Sequence, residues 1–333
     1  MRSSRESLDS SLTRPWAHQT NGSAGSLRRR LIHLTGSLAA LCVSLAAPLA
    51  RAELLYVSLG DTIVTYDTTS NVNTTIEASQ TVFANTNLST PGGLAFDSSG
   101  NLYAVNIVGN TISTFNPSGT FVNTISTNLS TPLFPTFDAA GNLYVSNNGD
   151  NTVSKFNSAG VYQSSITTNL SGPAGLDFDS SGNLYVANNT PNTISKFDAG
   201  GGFLGTFAST NIVSPAGLIL DAANNVYVAN QNAGVSEFDS AGGFVSQTSG
   251  PPNGPWGMAF DSAGNFYVSY FVDSQISKFD SSGTRLVTWS TSTQQPLGVA
   301  VNVVPEPGTV GLIAIGVIGL AFARQRWRQA AGH

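Results

Sequence analysis

Side chains able to do covalent or metal chemistry are scarce in this chain. The single cysteine, Cys42, and the three histidines, His18, His33 and His333, all lie outside residues 53–304. That stretch therefore has no thiol nucleophile, no Ser-His pair and no imidazole to hold zinc. Its glutamates are Glu53, Glu77 and Glu237. Asp177 stands alone in the apolar segment PAGLDF, and one carboxylate is a poor site for a hard cation that takes six to eight oxygens. Asp97, Asp138, Asp179, Asp221 and Asp261 recur at the start of D-x-x-G/N-N segments. An aspartate there bonds the backbone of a tight turn while glycine takes the positive φ, so these five read as turn residues and not as calcium ligands. Asn148-Gly149-Asp150-Asn151 offers a further calcium-like cluster and reads as a loop between strands. The expectation is a body with no cofactor and no bound metal.

Charge narrows the partners. Residues 53–304 carry Lys155, Lys196, Lys278 and Arg285 against sixteen Asp and Glu, a net charge of −12. The other ten basic residues sit in the two ends. Nucleic-acid binding rests on Lys and Arg neutralising phosphates, so nucleic acid is not an expected partner.

The elements that must position these residues come from a repeat. PGGLAFDSSGNLYAVN at Pro91, PAGLDFDSSGNLYVAN at Pro173 and PWGMAFDSAGNFYVSY at Pro255 are versions of one unit. Pro91, Pro132, Pro173, Pro215, Pro255 and Pro296 follow one another at steps of 41, 41, 42, 40 and 41 residues. A period of ~40–45 residues with four strands is a β-propeller blade. Strand a opens at the proline, where a missing N–H is tolerated. An Asp turn leads to strand b (N-L-Y-V-x-N), strand c is T-I-S-K-F, and a second Asp or Asn turn leads to strand d. Tyr56, Tyr103, Tyr144, Tyr185, Tyr227 and Tyr267 give six strands b, yet the first strand b stands at Leu54 and the sixth strand a at Pro296. The expected fold is all-β, a six-bladed propeller in which residues 296–302 pair beside 54–58 and close the ring.

The P-x-G-L-x-F-D-S-S-G-N-L-Y-V-A-N pattern followed by N-T-I-S-K-F-D resembles NHL-type repeats over about residues 54–302. Strand b here ends in Asn where the family usually has Asp. Related propellers include lactone hydrolases with a divalent cation in the channel and a streptogramin lyase that uses His and Glu. The lyase chemistry lacks its histidine in this body, and a metal-dependent lactone or ester hydrolase stands as the alternative function.

Each end reads as a targeting segment. Residues 1–52 form a leader and signal peptide, with Arg28-Arg29-Arg30, an apolar stretch, and small residues Ala50 and Ala52 bracketing Arg51; cleavage is expected after Ala52. Residues 53–303 are the propeller. In 304–333, Pro305-Glu306-Pro307 precedes the apolar run 310–323, a short transmembrane helix, and then Arg324, Arg326 and Arg328. This order closely resembles the PEP-CTERM sorting signal. The resemblance implies a Gram-negative bacterium, an exosortase as partner, transient inner-membrane anchoring, removal of the tail and release to the cell surface or extracellular matrix.

What remains for function is the face formed by the b–c and d–a loops. Its amides, notably Asn148, Asn189 and Asn230, and its aromatics Phe134, Trp256 and Tyr270 are the expected ligand contacts. Amides beside an aromatic platform suit a neutral polysaccharide or a surface protein. The leading expectation is an exported, non-enzymatic binding or scaffold propeller. The competing reading of Phe134 and Trp256 is that they plug the channel.

Overall fold

The computed structural model describes residues 53–68, 80–248, 253–291 and 294–303. Six four-stranded antiparallel sheets are formed. Blade 1 contains β1 (Glu53–Leu59), β2 (Thr62–Asp67) and β3 (Thr81–Ala84). Blade 2 is β4 (Pro91–Phe96), β5 (Leu102–Asn106), β6 (Thr111–Phe115) and β7 (Phe121–Ile125). Blade 3 is β8 (Pro132–Phe137), β9 (Leu143–Asn147), β10 (Thr152–Phe156) and β11 (Tyr162–Ile166). Blade 4 is β12 (Pro173–Phe178), β13 (Leu184–Asn188), β14 (Thr193–Phe197) and β15 (Phe203–Ala208). Blade 5 is β16 (Pro215–Leu220), β17 (Val226–Asn230), β18 (Gly234–Phe238) and β19 (Phe244–Thr248). Blade 6 is β20 (Pro255–Phe260), β21 (Phe266–Tyr270), β22 (Gln275–Phe279) and β23 (Arg285–Ser290). The last strand, β24 (Pro296–Val303), completes blade 1 in the order β24-β1-β2-β3.

Closure is therefore made by the two ends of the ring. Glu53 pairs with Val303, Leu55 with Val301 and Val57 with Val299, and the whole inner edge of β1 is covered. No disulfide is needed, because an antiparallel strand pair joins start to finish and abolishes the edge.

Turn chemistry shapes each blade as the repeat implies. Asp97 Oδ1 accepts from the N–H groups of Ser99 and Asn101 at 2.9 Å, and its Oδ2 accepts from Asn101 Nδ2 at 2.8 Å. Asp138, Asp179, Asp221 and Asp261 make the same three bonds in their own turns. In blade 5 the left-handed place falls to Asn224, at φ 64°, where the other turns use glycine.

Packing between blades supplies the core. Tyrosines of strand b meet phenylalanines of the next strand a edge to face: Tyr56 with Phe96, Tyr103 with Phe137, Tyr144 with Phe178 and Tyr227 with Phe260, at ring separations of 4.8 to 5.3 Å. Tyr185 and Tyr267 face a next strand a without a ring and pack instead within their own blades, Tyr185 edge to face with Phe207 and Tyr267 stacked on Trp289.

The inner strands crowd the axis. A Cβ on Gly175 would lie 2.2 Å from Leu218 N, and one on Gly217 2.3 Å from Trp256 O. Only glycine permits that approach. Register shifts between the first and fourth residues of these strands leave the intervening N–H groups without a strand partner. Serines of strand b take several of them: Ser146 accepts from Phe134 N, Ser269 from Gly257 N and Ser58 from Gly298 N.

Candidate functional site

Polar and aromatic side chains gather in three zones of the ring: the turn face, the channel and the mouth. On the turn face every lysine of the body is already committed. Lys278 Nζ lies 3.1 Å from Asp261 Oδ2 and over the Tyr267 ring; Lys196 lies 3.2 Å from Asp179 and over Tyr185; Lys155 lies 3.8 Å from Asp138 and over Tyr144. The strand-c lysine thus reaches across the strand-b tyrosine to the a–b turn. Burial raises the pKa of Asp138, Asp179 and Asp261, but the asparagine bonds and the lysine outweigh it and hold all three carboxyls below the usual range. Blade 5 departs from the pattern: Glu237 replaces the lysine and accepts from Tyr227 Oη at 3.1 Å and Ser246 Oγ at 2.8 Å.

In the channel a cavity of about 290 Å³ is lined by the inner strands, whose side chains there are apolar apart from Thr136 and Asp177 but whose backbone groups leave much of the lining polar. Asp177 is the acid of its ring level, where the other strands carry Ala95, Thr136, Ile219, Ala259 and Ala300. Its Oδ2 accepts from Leu220 N at 2.9 Å, and its Oδ1 from Phe178 N at 2.9 Å and Thr136 Oγ1 at 3.4 Å. One carboxylate so clasps blades 3, 4 and 5. Burial pushes its pKa up to about 6, against the pull of those three bonds. Among the described residues no three Asp, Glu, His or Cys side chains converge as a metal site.

The mouth is closed by aromatics. Phe134 on β8 and Trp256 on β20 belong to blades on opposite sides of the ring, and their rings stack at 6.0 Å and 30°. Phe271 continues the array, 6.4 Å from Trp256. Phe134 is buried, whereas Trp256 is half-buried and keeps part of its indole toward solvent. Trp256 Nε1 is enclosed without a hydrogen-bond partner. Plug and platform are thus two faces of the same side chain.

The expected amides divide sharply. Asn148 and Asn189 are half-buried on the mouth loops, and Asn189 Nδ2 donates to Pro215 O at 3.1 Å. Asn230 is fully buried: its Nδ2 donates to Ser236 Oγ at 2.9 Å and its Oδ1 accepts from Val213 N at 2.9 Å. Tyr270 is also fully buried, packed among Met258, Phe266 and Phe279. Neither side chain reaches solvent, which corrects their placement among the ligand contacts. The reason is the same in both cases, since the last residue of strand b points into the sheet packing. Asn106, Asn147 and Asn188 occupy that position in other blades and tie strand c to the preceding d–a loop through serine. A second set, Asn110, Asn151 and Asn192, accepts from Thr131 N, Gly172 N and Ser214 N of the following blade at 2.6 to 2.7 Å. Sequence reading missed these ties; the signal of the first set was the recurrence of Asn with Ser seven residues on in blades 2, 3 and 4 and six on in blade 5. Ala50, Ala52, Pro305, Glu306, Pro307 and the apolar run 310–323 lie outside the described residues.

The PEP-CTERM protein-sorting motif matches residues 303–326. It is the signal that an exosortase recognises, and it marks an exported protein anchored through its C-terminus for sorting. No curated protein sequence matches the chain. Among solved structures, the chain is similar to one in a nidogen/laminin complex at 17% identity and a TM-score of 0.67, covering 75% of this chain and 98% of that one. It is also similar to a streptogramin B lyase at 15% identity and TM-score 0.51, over 76% of this chain and 74% of the other. A catalytically inactive virginiamycin B lyase from Staphylococcus aureus with quinupristin gives 18% identity and TM-score 0.53, over 64% and 75%. At such identities the likeness establishes the propeller fold alone.

Proposed function

We propose that the propeller is a non-enzymatic binding or scaffold module of the cell surface or extracellular matrix, and that its mouth takes a neutral polysaccharide. The observation that carries this reading is the half-buried Trp256, held against Phe134 and Phe271 with one side toward solvent. An indole so braced offers a flat apolar surface at little entropic cost, and a sugar's C–H face stacks on such a surface. Asn148 and Asn189 supply amides on the b–c loops of blades 3 and 4, on the same face. A body with net charge −12 disfavours anionic polymers at low salt, whereas neutral sugars meet no such field. The leader 1–52 and the tail 304–333 are removed from the mature protein in this reading, leaving residues 53–303.

A metal-dependent lactone or ester hydrolase is the competing class. It finds one carboxylate in the channel, Asp177, whose oxygens already accept three hydrogen bonds.

A glycan array probed with the exported protein and its Trp256→Ala and Trp256→Leu variants tests the proposal, with a melting curve for each. Binding to neutral glycans by the wild type, lost in both variants with folding kept, is the expected result. Binding that survives in a folded variant assigns Trp256 to the plug alone. Stoichiometric divalent metal together with ester turnover in the wild type would replace the binding reading by the hydrolase.

A further inference from the structure

The ring begins and ends on one face. Glu53 pairs with Val303, and Glu53 Oε1 accepts from Ser262 N, in the a–b turn of blade 6, at 3.0 Å. Asn302 lies beside the a–b turn of blade 2: a Cβ on Gly100 would stand 3.8 Å from Asn302 Nδ2 and 3.5 Å from Pro117, which belongs to the c–d turn. Both sets of Asp and Asn turns therefore share a face with the chain's exit from the ring. Trp256, second residue of its strand, is at the other end of the strands, roughly 20 Å away at ~3.3 Å per residue.

The sorting motif starts at 303, the last residue of β24. Residues 304–309 are all that separates β24 from the apolar run at 310. Six residues span at most ~20 Å fully extended. The tether is therefore no longer than the ring is deep.

We propose that, while the tail is held in the bilayer, the Asp-turn face of the propeller is turned to the membrane and is the surface that the sorting enzyme meets, and that the Trp256 mouth is held outward. The exit of β24 among the turns and the shortness of the tether carry this orientation. This holds whatever the mouth binds. Charge adds a consequence. Lys155, Lys196 and Lys278 are bonded to Asp138, Asp179 and Asp261 on this same face, so the face has no lysine to offer an anionic headgroup. Arg285, exposed at the start of β23 on this face, packs over the Phe279 ring at 5.8 Å, which leaves the tether as the main hold on the membrane.

The test uses the full chain with Cys42→Ser and with Pro305-Glu306-Pro307 replaced by alanines, so that the tail is retained. One exposed position on each face is made cysteine and labelled with a donor dye: Ala139→Cys in an a–b turn, or Val108→Cys in a b–c loop. In phosphatidylethanolamine–phosphatidylglycerol vesicles carrying a lipid acceptor, transfer is expected to be stronger from position 139 than from 108. A Gly/Ser linker of ~30 residues after Val303, with a reach of ~30 Å, is expected to abolish that difference. Equal transfer without the linker, or stronger transfer from 108, overturns the orientation. For the enzyme, a folded domain inserted between Ala139 and Ala140 in a chain with the native motif is expected to block tail removal, and the linker to restore it. The same domain between Val108 and Gly109 is expected to leave removal intact. Equal processing of the two insertions, or a block that the linker does not lift, overturns the enzyme-facing role.

Discussion

Lys278 and Lys155 make the same contacts at different depths, which turns the repeat into an internal experiment. The side chains of Lys278 and Asp261 are 10% and 3% exposed, against 27% and 17% for Lys155 and Asp138. Removing one partner of a buried pair strands a charge, whereas a more exposed pair is screened by water. Lys278→Met is expected to lower stability by about 3 kcal/mol and Lys155→Met by less than about 1 kcal/mol, read from urea unfolding. Equal losses would mean that burial does not set the worth of these pairs. Asp177 gives the opposite sign of pH dependence. Its folded pKa, about 6, exceeds the ~3.9 of a free aspartate, so the folded chain holds this proton more tightly. Its contribution favours folding below pH ~4 and declines as pH rises toward about 6. The melting temperature of the wild type minus that of Asp177→Ala should therefore fall across that window and level off above it. Asp138, Asp179 and Asp261, with lowered values, lose their contribution only at more acid pH and leave the window clear. A difference that rises with pH would mean that the three bonds outweigh burial at Asp177.

At the scale of strands and turns, the proline spacing, the Asp turns and the strand-b tyrosines were enough to place the blades and their closure. Each is a local rule repeated six times, with few ways to be satisfied. Side-chain destinations at strand ends were less legible. Asn188 and Asn189 are neighbours of one type, yet Asn188 is buried and bonded to Ser195 Oγ and Ser171 N, while Asn189 is half-buried on the mouth. One step along a strand reverses the face, and composition does not carry that step. Asn188→Ala should cost about 2–3 kcal/mol through stranded polar groups, whereas Asn189→Ala should cost less than about 1 kcal/mol. Equal cost in thermal or urea melts would remove the distinction. The closing strand obeys the same reasoning. Deleting residues 296–333 leaves the inner edge of β1 open from Glu53 to Leu59, and the truncated chain is expected to aggregate on size-exclusion chromatography while a chain ending at Val304 stays monodisperse. Two equally soluble and equally heat-stable chains would refute closure by β24.

Across the described ring, the charged side chains of turns and channel bond one another or the backbone, and the proposed ligand contact falls at one opening. The turn carboxylates are bonded by their own turns, the lysines by those carboxylates, and the channel acid by its own strand and the two neighbouring blades. The stack of Phe134 on Trp256 joins blades 3 and 6 across the axis, a contact between residues more than a hundred positions apart that no repeat period announces. Trp256 was visible in the sequence as a departure from the small or aliphatic residues Gly92, Leu133, Ala174, Ala216 and Leu297 at equivalent places, but its partner across the ring was not. Mouth and channel are therefore separable by two substitutions, Trp256→Leu and Asp177→Ala, in the exported protein. The decisive measurement is equilibrium binding of the wild type and both variants to the neutral glycan selected on the array, by titration calorimetry at physiological salt. The account predicts binding by the wild type and by Asp177→Ala, and its loss in folded Trp256→Leu; binding kept by Trp256→Leu and lost in folded Asp177→Ala would place the ligand in the channel and contradict it.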